Sequence, residues 1–220
     1  MREGVVLLRD LGYAIEEREI YRLLGYGRQG RTSREDVRSV VREMTQSAGA
    51  LIEPKGAFII LNREEVEARG PFEGARKVGF GLCTIGGGLE KRVRELFASG
   101  DYLEGLVLDT IGSVAVESVA DSLNYRICST GEGMGLTGDR RSSPGYGNWS
   151  LERQALFFDL LPHAEMGMSL TSSFMMVPRK SISFAVNLKT NGRSAWKYAR
   201  CARCGLVDCP YRDHDERGER

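Results

Sequence analysis

Arg141-Ser-Ser-Pro-Gly-Tyr-Gly147 is the stretch on which the reading of this chain depends. It closes a glycine-rich run, with Gly131, Gly133, Gly135, Gly138, Gly145 and Gly147 inside seventeen positions. Lacking a Cβ, glycine lets a backbone turn left-handed or come close to a ligand. Arg141 contributes a rigid fork of donors matched to a carboxylate, and Tyr146 a ring with a polar tip. Pro144 stiffens the turn between them, so fork and ring are held at a set separation. The set suits a small zwitterionic ligand with a flat base. A plain surface turn would use the same residues, so the neighbouring segments have to be weighed with it.

Downstream, Leu151–Leu161 reads as an amphipathic helix ended by Pro162, and residues 168–176 and 182–188 alternate as strands of one sheet. Upstream, residues 102–123 are strongly helical, with Leu103, Leu106, Val107, Ile111, Val114 and Ala115 at helical spacing. Gly112 and Ser113 cost such a helix about 0.5–1 kcal/mol against alanine, which predicts another element packed close to that face. Val78–Thr84 reads as a buried strand and Leu89–Ala98 as a helix. Nearer the N-terminus, Val5–Leu8 is a short strand or an apolar helix edge, and Glu17–Leu24 is a helix stopped by Gly25. Residues 33–49 form a helix capped by Ser33 with Asp36 three residues on. Ala50–Glu53 and Ala57–Leu61 read as two strands about Pro54-Lys-Gly56. Strands at both ends with helices in blocks predict an α+β domain over a doubly wound one.

Gly79-Phe-Gly81-Leu-Cys83-Thr-Ile-Gly86-Gly-Gly88 joins a strand to a helix, as a dinucleotide-binding turn would. That fingerprint needs a glycine where Thr84 stands and an acidic residue ending a second strand about twenty residues on. Asp101 lies near that distance but opens a helix. A structural glycine turn is the better reading.

The C-terminal segment, residues 196–220, reads as an appendage to a domain of residues 1–195. Cys201-Ala-Arg-Cys204 sets two thiolates on one knuckle, and Cys209 follows after four residues. This spacing suits tetrahedral sulfur coordination. His214 would complete a zinc site. An iron–sulfur cluster would instead need a fourth thiolate from Cys83, Cys128 or a partner. Asp208, Asp213, Asp215 and Glu216 oppose phosphate, and Tyr211–Arg220 reads as a loose charged tail.

A net charge of +1 points away from nucleic acid and anionic membranes as partners. No apolar run nears eighteen residues and no signal peptide opens the chain, so the expected location is cytoplasmic. There, five cysteines predict no disulfide framework. His163, beside Pro162, reads as a surface or capping residue. Met166, Met168, Met175 and Met176 read as core fillers, with a ligand-facing surface as the alternative.

The run Arg141-x-x-Pro-Gly-Tyr-Gly-x-Trp149, the helix after it and Leu170-Thr-Ser-Ser-Phe-Met-Met-Val-Pro178 resemble the activation domain of cobalamin-dependent methionine synthase. Thr84-Ile-Gly-Gly-Gly-Leu-Glu90, Asp101-Tyr102, Leu108-Asp-Thr-Ile-Gly-Ser-Val-Ala-Val-Glu117 and Leu23-Leu-Gly-Tyr26 are similar to it in the same order. The resemblance spans roughly residues 15–190 and implies a free-standing activation domain: a twisted, largely antiparallel sheet with helices at its ends. It implies S-adenosylmethionine as ligand, with Arg141 on its carboxylate and the backbone of Pro144, Gly145 and Gly147 on adenine and ribose. Tyr146 would face the sulfonium or the corrin, and Glu117 matches an acidic helix position, although a solvated helix face would also place it. The family carries an acid six residues before the arginine; Gly135 stands there, with Glu132 and Asp139 the nearest carboxylates.

The implied activity is reductive methylation of cob(II)alamin carried by a cobalamin-binding methyltransferase partner. An electron donor such as flavodoxin is expected. The competing readings are an S-adenosylmethionine- or corrinoid-protein-binding module without methyl transfer, and an interaction protein built on the cysteine tail.

Overall fold

The structure, a computed structural model, describes residues 2–26, 34–66 and 70–190. Strands β1 (Val6–Leu8), β2 (Lys55–Asn62), β3 (Lys77–Thr84) and β4 (Thr137–Ser142) share a sheet with a long late strand. Two short strands, β5 (Ser169–Leu170) and β6 (Met176–Val177), pair with each other as a hairpin. The late strand is β7 (Ser181–Lys189), and the sheet order is β1-β2-β3-β7-β4. Every neighbouring pair is antiparallel. The helices are α1 (Glu17–Leu23), α2 (Glu35–Ala48), α3 (Gly88–Ser99), α4 (Tyr102–Gly133) and α5 (Gln154–Leu160). This is the α+β architecture that the block arrangement of strands and helices predicts.

Alternation along the strands sorts side chains to two faces. On one face Phe58, Cys83, Phe184, Val186 and Leu188 meet α1 to α4. On the other, Ile59, Val78, Phe80, Leu82 and Ala185 meet α5 and Trp149. In β3 the helix-covered face carries Gly79 and Gly81, and the reason is space. A Cβ at Gly79 would collide with Ile127 of α4, and one at Gly81 would stand 2.7 Å from the Phe184 ring. These glycines therefore serve packing, in keeping with the structural reading of that run.

The 32-residue α4 is apolar around most of its circumference because it lies between the sheet and the other helices. A Cβ at Gly112 would stand 2.7 Å from Leu89 and 3.2 Å from Lys180, the close approach expected there. No helix among the described residues is long and apolar enough to cross a membrane.

Several local readings are corrected. The helix expected over 102–123 runs on to Gly133, so Gly131 and Gly133 belong to its last turns; Leu188 packs on the bare face of Gly131. Ala50–Glu53 is not a strand, since α2 continues into a 3₁₀ turn at Gly49–Leu51. Residues 168–176 fold into the separate β5–β6 hairpin, because a tight turn at Thr171–Phe174 interrupts them. The proposed cap Ser33 lies outside the described residues.

Candidate functional site

One stripe of α4, Asp109, Ser113, Glu117 and Asp121, repeats every four residues and so shares a helix face. Two cations grip it. The Lys180 ammonium reaches Asp109 at 2.9 Å and Ser113 Oγ at 2.8 Å. Arg141 Nη2 reaches Glu117 at 3.1 Å and Asp121 at 3.0 Å. The Arg141 side chain is 16% exposed, against 47% and 45% for its two carboxylates. Half-exposed ion pairs are worth only about 0–1 kcal/mol each. A buried guanidinium without partners would be far costlier, so the pairs chiefly keep Arg141 tolerable where it sits. Its Cζ lies 5.2 Å from the centroid of the Phe184 ring, and Nη1 is sealed from water with no hydrogen-bond partner.

Sequence reasoning puts Arg141 in the glycine loop. It is in fact in β4, opposite Val186, beyond a register shift between Gly138 and Arg141. The loop proper follows and closes on itself. Gly145 N–H donates to the Trp149 carbonyl at 2.7 Å, and Trp149 N–H to the Tyr146 carbonyl at 3.2 Å. Trp149 is the anchor: its ring packs edge-on to Phe72 at 5.6 Å and lies 5.9 Å from Phe157. Such aromatic contacts add about 0.5–1.5 kcal/mol each beyond area burial. With Trp149 fixed, Tyr146 stands outward, 77% exposed.

Between this loop, α4 and β7 lies an open cavity of about 580 Å³, lined among others by Glu117, Asp121, Asn124, Arg141, Tyr146 and Gly147. That is within the usual range of roughly 300–1,000 Å³ for small-molecule sites. A groove of about 320 Å³ continues past Tyr146 and Gln154 to Met175, Met176 and Arg179. The cavity wall is mixed: two carboxylates and two guanidiniums, those of Arg140 and Arg141, beside apolar Trp149, Met176 and Ile182.

The crystal structure of the MetH reactivation domain bound to AdoHcy matches with a TM-score of 0.62 at 16% sequence identity. The match covers 90% of this chain and 82% of that one. The chain has the MetH reactivation-domain fold. No protein-family model and no curated protein matches it.

On this reactivation-domain fold, the structure brings Arg141, Pro144, Tyr146, Gly147 and Glu117 to one cavity. Gly145 is not among the lining residues; it sits in the left-handed region at φ 88°, with a would-be Cβ 3.3 Å from Leu151. Neither Glu132 nor Asp139 lines the cavity. Asp139 is held by Lys189 at 2.7 Å. Burial pushes its carboxyl up, but the Lys189 hydrogen bond, the Arg140 N–H and the two nearby positive charges hold it below the usual carboxylate range. The cavity's acids come from α4 instead. Asp121 was legible in principle, four residues beyond Glu117; Asn124 and Gln154 carried no such signal.

Cys83 and Cys128 are fully buried, and desolvation pushes each thiol up to about 12. Both thiols are enclosed in the core formed by the described residues. Cys201, Cys204, Cys209 and His214 lie outside the described residues, among which no cluster of metal-holding side chains occurs. The His163 Nδ1 lies 2.9 Å from the Met168 carbonyl and its ring packs on Phe158, a capping role. Met166 and Met168 are core residues, whereas Met175 is exposed on the groove.

Proposed function

We propose that this chain is an S-adenosylmethionine-binding reactivation module. The observation that carries it is the cavity uniting Arg141, Glu117, Tyr146 and Gly147, on a fold whose solved example holds AdoHcy. The residues fit such a ligand. Glu117 and Asp121, half exposed, suit its ammonium, and Nη1 of Arg141 is an unfilled donor for its carboxylate. Because Nη1 is sealed, that contact needs a small shift of the arginine or of a rim side chain. The turn at Pro144–Gly147 offers backbone groups to adenine and ribose. Tyr146, at the mouth, suits the sulfonium, where an aromatic face is worth about 0.5–2 kcal/mol to a cation.

The reaction proposed is reductive methylation of cob(II)alamin on a cobalamin-binding methyltransferase partner, with one electron from a donor such as flavodoxin. The corrinoid would supply the reduced metal nucleophile for the methyl group, with the sulfonium S–CH3 bond broken and S-adenosylhomocysteine as the leaving group. This chain's residues hold the sulfonium methyl toward the open mouth, and such orientation can contribute several kcal/mol, within the about 7–11 kcal/mol ceiling for positioning. No general base is required, since no proton moves.

One observation favours the second reading, binding without transfer: Gly135 stands where the resemblance calls for an acid, and it lies off the cavity. The experiment combines purified protein, a corrinoid protein in the cob(II) state, a reductant and methyl-labelled S-adenosylmethionine. Label on cobalt supports transfer. Binding without label transfer supports the second reading, and no binding refutes both.

A further inference from the structure

The β5–β6 hairpin walls the Arg141 cavity through Met176 and the adjoining groove through Met175 and Met176. Its ladder consists of two residue pairs, Ser169 with Val177 and Leu170 with Met176. A pairing that short does not hold itself in water. The tip closes locally on Thr171: Phe174 N–H donates to its carbonyl at 2.9 Å, and Met175 N–H to its Oγ1 at 3.0 Å. Phe174 sits at φ 60°, the one non-glycine residue at positive φ among the described residues. Such a conformation persists where surrounding structure enforces it.

Gln154 is placed to enforce it. The side chain belongs to a residue 6% exposed, at the start of α5. Its Nε2 donates to the Phe174 carbonyl at 2.7 Å, and its Oε1 accepts from Ser183 Oγ, in the first part of β7, at 3.2 Å. A carbonyl only accepts, so the amide nitrogen must face Phe174 and the amide oxygen Ser183. One side chain thus bridges the rigid sheet and the tip of a weak hairpin, and it lines both the cavity and the groove.

We propose that Gln154 is a positioning residue, fixing the hairpin tip to β7 and so setting the gap between Met176 and the Pro144–Gly147 turn that receives the ligand. The ligand half of this rests on the S-adenosylmethionine reading above; the hairpin half does not. The sequence alone carried no sign of it, since Gln154, Phe174 and Ser183 are distant along the chain.

The test uses two variants of the full chain. Gln154→Leu keeps the volume and removes both hydrogen bonds. Gln154→Glu keeps the acceptor for Ser183 but sets a carboxylate against the Phe174 carbonyl. In both, amide hydrogen exchange at Thr171, Phe174 and Met175 should quicken about tenfold while β2, β3 and β7 keep their protection. S-adenosylmethionine affinity, by titration calorimetry, should fall about tenfold as well. Unchanged hairpin exchange in both variants overturns the proposal, as does a loosened hairpin with unchanged affinity. Protection lost throughout the sheet in both also overturns it, because Gln154 would then be a core residue and nothing more. A wild-type protein that takes up no S-adenosylmethionine overturns the ligand reading alone, and the exchange data still decide whether Gln154 holds the wall.

Discussion

Arg141 and Asp121 meet at 3.0 Å across the seam between β4 and α4. The same guanidinium therefore fastens the long helix to the edge of the sheet and forms part of a cavity wall. Glu117 shares it, one helical turn away. A ligand carboxylate arriving at Arg141 meets a group already held by two carboxylates, while a ligand ammonium meets those carboxylates half exposed. On the proposed function, this triad serves both ends of a zwitterion.

Replacing Arg141 with alanine should cost S-adenosylmethionine binding about 2–3 kcal/mol, the loss typical of a charge-assisted contact. It also removes the cation that Glu117 and Asp121 share, so the thermal midpoint should fall. Arg141→Lys keeps the charge without the fork and should recover more stability than affinity. Titration calorimetry beside thermal unfolding separates the two effects; a folded alanine variant binding at wild-type strength would rule out the contact.

The two loop glycines should respond differently. Gly145→Val forces a branched residue to φ 88° in the turn, so it should act on the turn, with strain of about 1–3 kcal/mol. Gly147 lines the cavity at φ 58° with nothing near its would-be Cβ. Asparagine tolerates that conformation. Gly147→Asn should accordingly keep the midpoint and weaken binding. Equal affinities for Gly147→Asn and wild type would show that the rim is not occupied by ligand.

Acid should weaken the β4–β7 seam through Asp139. Its carboxyl is held below the usual range, so its contribution is complete above the unfolded-state value of about 3.9 and disappears as pH falls through the folded one. Asp139 and Lys189 are partly exposed, which limits the effect to about 1 kcal/mol or less. Urea unfolding at a series of pH values should show a shallower acid limb in Asp139→Asn. Parallel curves for variant and wild type would remove this pair from the acid response.

For the tail, the expected content is about one metal centre per chain on Cys201, Cys204 and Cys209, as zinc or an iron–sulfur cluster. Elemental analysis of anaerobically purified protein decides which. Truncation before Cys201 should remove the metal and spare S-adenosylmethionine binding, since among the described residues the lining of the Arg141 cavity is drawn from 71–183. Metal-free protein refutes the site, and binding lost on truncation would show that the tail helps to build the cavity.

The strand β7 was legible from its alternation, β3 from an unbroken run that reads as a buried strand, and α1, α3 and α5 from helical runs bounded by glycine or proline. So was the turn at Pro144–Gly147, whose glycines and proline state their backbone needs locally. The extent of α4 was not, because Gly131 and Gly133 read locally as breakers, and only the fold sets Leu188 against the bare face of Gly131. Nor was the separation of the β5–β6 hairpin from the main sheet, since a two-residue strand has no period to read.

By itself, then, the sequence determined the α+β class, the central strands and the presence of an arginine beside a rigid glycine turn. These follow from local conformational preference and from the alternation of apolar and polar residues. The tertiary structure alone decided that Glu117 and Asp121 are the acids at Arg141 and that Gln154 joins Phe174 to Ser183. Each of those contacts joins elements far apart along the chain, and only the closing of α4, α5 and the hairpin onto the sheet brings their polar atoms within hydrogen-bonding reach.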